Sequence, residues 1–78
     1  MATANEFKAL PKGTLLRIDP DVIEDSLYAG ELHASGDYLF LFEAYDPDQY
    51  YPVIAVSLLT SARHEFEPYE VIIAAPQE

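Results

Sequence analysis

The chain contains no cysteine. That excludes a disulfide staple, a thiolate nucleophile and a thiolate metal site, and it fits a reducing compartment, so a cytoplasmic protein is expected. Basic residues are scarce, 4 against 14 acids, for a net charge of −10. Proteins that bind nucleic acid need a basic footprint to neutralise phosphates, and anionic membrane surfaces repel a chain of this charge. Glycines number 3, at positions 13, 30 and 36. They stand too far apart to form a phosphate cradle. The longest apolar runs, "YLFLF" and "YYPVIAV", fall well below the roughly 20 residues of a membrane span. The opening "MATANEFKALPKG" has no apolar h-region, so no signal peptide is expected. These gaps leave a soluble domain whose natural partner is basic.

Apolar and aromatic residues make up 50% of the 78, too many for a disordered chain of this charge. A chain of this length forms one domain and buries only about 60% of the surface its unfolded form exposes. The reading is a flexible N-terminal tail over 1–11, one β-barrel domain over 12–75 and a C-terminal tail over 76–78. Charge divides unevenly. Residues 1–18 hold Lys8, Lys12 and Arg17 against Glu6, a net of +2, and the remainder holds 13 acids against Arg63, a net of −12.

"GTLLRID" (13–19) reads as a strand with Leu16 and Ile18 on one face, Leu15 and Arg17 on the other. "DPDVIEDSLYAG" (19–30) has an N-cap candidate in Asp19, with Pro20 at the first helical position. Glu24 and Asp25 toward its C-terminus oppose a full helix, which favours one short helical turn or an acidic loop at 20–25 and a strand over 26–34. "SGD" (35–37) is a turn. "YLFLFEAY" (38–45) is the clearest strand and, apolar on both faces, reads as central or sharply curved. "DPDQY" is a loop and "PVIAVSLL" (52–59) a strand. Residues 60–68 read as a loop with room for one helical turn, and 69–75 as the last strand.

Five short strands at this spacing suit a small closed sheet. "KGTLLRID", "YAGELHASGDYLFLFEA" and "SARHEFEPYEVII" resemble the opening strand, the central hairpin and the helical turn before the final strand of an SH3-like barrel, over residues 12–74. The resemblance is one of layout. It implies a mainly β fold, a small five-stranded SH3-like barrel with one short helical turn; the alternative is α+β, one helix packed on a four-stranded sheet. "EAYDPDQYY" resembles the Ala-Leu-Tyr-Asp-Tyr stretch of signalling SH3 domains but lies between the third and fourth strands and lacks the leucine. No proline-peptide site is carried over to it.

His33 and His64 stand alone in the sequence, with no nucleophile motif around either, so the chain reads as non-enzymatic. Asp46 and Asp48 match two positions of a calcium loop, but Tyr50 and Tyr51 fall where an oxygen ligand and then glycine are required. No metal or cofactor is expected. Two features remain. One is the loop 44–52, where Tyr45, Tyr50 and Tyr51 exceed what a turn needs, and where Asp46 and Asp48 would select Lys or Arg on a partner. The other is an acidic belt through Asp19, Asp21, Glu24, Asp25, Asp46, Asp48, Glu65, Glu67 and Glu70. The expected function is protein binding to a basic surface, through the loop together with Asp21, Glu24, Asp25, Glu65 and Glu67. Its sharper form is an inhibitor of phage type that mimics nucleic acid. The alternative is an accessory subunit whose acidity serves solubility.

Overall fold

The computed structural model describes residues 4–75. Its frame is a five-stranded antiparallel sheet of β1 (Leu15–Ile18), β2 (Leu39–Tyr45), β3 (Val53–Ser57), β4 (Arg63–Phe66) and β5 (Val71–Ala75). The order is β4-β3-β2-β1-β5. Consecutive strands lie side by side from β1 to β4, and β5 returns to β1. The mainly β, five-stranded reading therefore holds, and β2 takes the central place that its two apolar faces demanded.

The set of strands differs from the expected one in two places. Residues 26–34 form no strand; Leu27–Ala34 is an α-helix, α2. Ser26 accepts from the Ala29 amide at 3.3 Å and caps it, satisfying a donor that a helix start leaves unpaired. Ala29 is buried and Leu32 packs on the core three residues on, whereas Leu27 is 80% exposed. The sequence of this helix carries no amphipathic period of its own, and tyrosine, leucine and alanine at even positions give it the alternation of a strand. Gly30 is needed there because a Cβ would come within 2.8 Å of the Ile23 carbonyl oxygen, so only glycine lets the helix lie against the preceding turn. The fifth strand comes instead from the expected loop 60–68. β4 is short and charged, and only Phe66 in it is deeply buried.

The short helical turn expected at 20–25 is present as a 3-10 turn, Pro20–Val22, started by Asp19, whose carboxylate accepts from the Asp21 amide at 2.9 Å. A second 3-10 turn, Pro68–Glu70, precedes β5. The resemblance implied a helical turn before the final strand, but the sequence reading put it within 60–68; it begins at Pro68 and takes the first two residues of the expected strand 69–75. The "SGD" turn is also present, with Gly36 at φ +81°.

Alternation decides what each strand buries. Leu16 and Ile18 on β1 and Phe40 and Phe42 on β2 point inward, across from Ala55 and Phe66. Phe40 meets Phe66 edge-on at 5.0 Å, a favoured geometry for aromatic pairs. Phe7 closes the core from the other end. It is fully buried, 6.1 Å from the Phe42 ring, and sits in a short helix, α1 (Ala4–Lys8). The flexible tail expected over 1–11 is thus corrected for its described part: Phe7 anchors it. The expected C-terminal tail, 76–78, lies outside the described residues. Among the described residues, no helix is long and apolar enough to cross a membrane.

Candidate functional site

Three elements converge at one end of the sheet: the start of α2, the strand β4 and the 3-10 turn before β5. They are tied together by Glu70. This side chain is 4% exposed. One carboxylate oxygen accepts from the Ser26 hydroxyl at 2.7 Å and the other from the Glu67 amide at 2.8 Å. Charge-assisted bonds of this kind are about twice as strong as neutral ones, and here they fix the helix start against the turn.

Between these elements runs a groove of about 680 Å³. Tyr28, Tyr51 and Tyr69 supply its aromatic wall, Asp25, Glu65, Glu67 and Glu70 its carboxylates, and Arg63 is the one lysine or arginine among its lining residues. Tyr28 stands on α2 against Phe66 at 5.7 Å, and its hydroxyl hydrogen-bonds the His64 Nδ1. On the far side of that ring, Nε2 lies 3.8 Å from the Asp37 carboxylate. Asp37 is itself buried and accepts from the Ser57 hydroxyl at 2.5 Å. With Tyr28 donating to Nδ1, the ring proton falls on Nε2, which faces the Asp37 carboxylate across a gap too long for a hydrogen bond and is buried without a hydrogen-bond partner. The bond to His64 thereby fixes the Tyr28 phenol at the groove wall.

Burial pushes the Tyr28 hydroxyl above its ordinary pKa, and the carboxylates of Glu70, Asp37 and Glu65 add to the effect. Tyr69 is raised in the same direction, by desolvation first and then by Glu70 and Glu67. Both phenols are therefore neutral hydrogen-bonding groups at physiological pH. A consequence is measurable. The folded state holds the Tyr28 proton to a higher pH than the unfolded chain, so this contribution is complete below about pH 10, the unfolded phenol value. It is lost as pH rises through the folded value. Tyr28→Phe should flatten the alkaline decline of stability, read by denaturant unfolding from pH 9 to 11.5; identical declines in the two proteins would refute the assignment.

Of the residues singled out in the sequence, Asp25, Tyr51, Glu65, Glu67 and Glu70 line this groove, as does His64. The rest of the tyrosine loop does not. Tyr45 is half-buried and packs on the core. Asp46 serves its own turn, accepting from the Asp48 amide at 3.1 Å and from Gln49 Nε2 at 3.5 Å. Asp48 is exposed on that turn. Tyr50 is 83% exposed and meets Tyr51 edge-on at 4.7 Å, which extends the aromatic surface outward from the groove. Asp21 and Glu24 are exposed beside the first 3-10 turn, next in sequence to Asp25 but outside the lining. The His33 ring lies 5.3 Å from that of Tyr38 in a tilted arrangement, apart from the groove. Sequence reasoning missed Tyr28 and Tyr69 because one was assigned to a strand and the other to an unremarkable strand start.

Among the described residues, no group of three His, Asp or Glu is arranged to hold a metal ion. Comparison with known protein families, with curated proteins and with solved structures finds no match to this chain.

Proposed function

We propose that this protein is a non-enzymatic binding module that docks a basic partner in the groove between α2 and β4. The observation that carries this reading is the pairing of three tyrosines with four carboxylates in one cleft. Tyrosine faces attract Lys and Arg cations, and carboxylates select them by charge. Tyrosine also supplies contact area at low entropic cost, which makes Tyr28, Tyr51 and Tyr69 the anchors. Asp48, Asp21 and Glu24 lie on exposed flanks, with Asp46 half-buried in its turn, and these carboxylates act at longer range by steering a cationic partner.

The test is affinity capture with wild-type protein and with a Glu65→Gln/Glu67→Gln variant. Glu65 is exposed, and glutamine at position 67, which is half-buried and caps the second 3-10 turn, keeps a carbonyl acceptor, so the fold should survive. Expected is a partner retained at low salt, released near 1 M salt where the screening length falls to about 3 Å, and bound at least about tenfold more weakly by the variant, the equivalent of about 1.4 kcal/mol. Capture unaffected by both changes would sink the proposal. Mimicry of nucleic acid is the stricter form, and it requires that the captured partner release bound DNA or RNA when this protein is added. A partner that holds both at once excludes it.

A further inference from the structure

We infer that the groove receives an extended basic segment of the partner, which adds to the free edge of β4 as a sixth strand. This rests on the groove being the binding surface and specifies how a chain lies in it. The first observation is that the groove touches Arg63, His64 and Glu65, three consecutive residues of one strand. Side chains alternate between the two faces of a strand. His64 turns inward against Phe40 and Phe66, and its two neighbours are exposed on the other face. A cleft that reaches all three runs along the strand's edge.

That edge is open. β4 ends the sheet order and pairs only with β3. Among the described residues, none of 63–66 has a backbone hydrogen bond outside the sheet pairing. Unpaired N–H and C=O groups along an edge are a template for a further chain. Four residues of β4 span roughly 13 Å at about 3.3 Å each, enough to pair a short extended segment. Charge then selects the occupant. A second copy of this chain would set Glu65 and Glu67 near their own equivalents, and each copy carries a net −10. A basic strand meets the opposite situation. Its alternate side chains point one set toward Tyr28 and the other toward Glu65, so a lysine or arginine on either set finds a tyrosine face or a carboxylate.

The experiment uses the full chain, labelled for amide NMR, and an octapeptide of alternating lysine and threonine. Two counterparts are N-methylated, each on one alternate set of residues, which keeps charge and removes one row of donors. Expected is about tenfold slower hydrogen exchange at outward-facing amides of residues 63–66 on adding the plain peptide. One methylated set should bind about tenfold more weakly, and the other as the plain peptide does, since only one row of a strand faces its neighbour. Equal affinity of all three peptides, with shifts at the groove tyrosines and no protection of β4, overturns strand addition and leaves the groove as the binding surface. No shift at those tyrosines with any peptide overturns both readings. Protection of β4 that rises with protein concentration alone assigns the edge to a second copy and overturns the inference.

Discussion

Phe7→Ala should lower the stability of this domain by about 3–5 kcal/mol, the usual cost of emptying a buried phenylalanine site. The whole domain has little more than that to lose. At about 0.05–0.15 kcal/mol per residue, a chain of 78 residues holds roughly 4–12 kcal/mol. The melting temperature should fall by well over about ten degrees, given about 4–8 °C per kcal/mol in a domain of this size. The reason is local and specific. Phe7 is fully buried and sits beside Phe42 in the same cluster as Leu16, Phe40 and Phe66. Its short helix has no independent stability, since isolated helices shorter than about 12 residues are marginal in water; burial of the ring holds the segment. Asn5→Ala on the same helix, at an exposed position, should change stability by no more than about 0.5 kcal/mol. Thermal and urea unfolding of both variants decide the matter. A Phe7→Ala loss no larger than the Asn5→Ala change would show that residues 4–8 form a detached tail.

The same phenylalanine marks where the sequence stops being legible. β1, β2, β3 and β5 announce themselves through alternation and through Val, Ile, Leu and Phe content, and their positions follow directly. Phe7 is one apolar residue in a polar, alanine-rich stretch, with no period around it to say that it packs. β4 has the opposite difficulty. "RHEF" reads as a charged loop because an edge strand at a groove keeps just one residue, Phe66, deep in the core. Residues 26–34 show a period of 2 and no amphipathic helical period, since Leu27 and Tyr28 are exposed beside buried Ala29, and the deciding fact is a long-range one: Ser26 is held by Glu70, 44 positions away. The candidate site was visible only as composition. Acid and tyrosine surplus pointed to a basic partner, and Asp25, Tyr51, Glu65, Glu67 and Glu70 were among the residues singled out. Which tyrosines share the cleft depends on α2 and the second 3-10 turn, neither of which the local pattern supplied.

Glu70→Ala should cost about 3 kcal/mol and should disable the groove together with the fold around it. The substitution removes two charge-assisted hydrogen bonds, each worth about 1.5–3 kcal/mol, and leaves the Ser26 hydroxyl and the Glu67 amide without their partner. Part of that loss is offset because the buried carboxylate's own desolvation disappears with it. Ser26 is also the cap of α2, so the helix start that carries Tyr28 loosens at the same time. Glu70→Gln keeps the shape and one carbonyl acceptor, and should cost about half as much. It also provides a readout that a general loss of stability cannot mimic. Glu70 is the foremost carboxylate holding the Tyr28 hydroxyl above its ordinary pKa, so Glu70→Gln should move the Tyr28 titration downward while the protein remains folded. A double-mutant cycle with Ser26→Ala completes the case. Residues that share one hydrogen bond typically show coupling of about 0.5–3 kcal/mol. If the two substitutions prove additive within about 0.3 kcal/mol, or the Tyr28 titration stays in place, Glu70 is not the clasp between α2 and the turn before β5, and the groove owes its shape to packing alone.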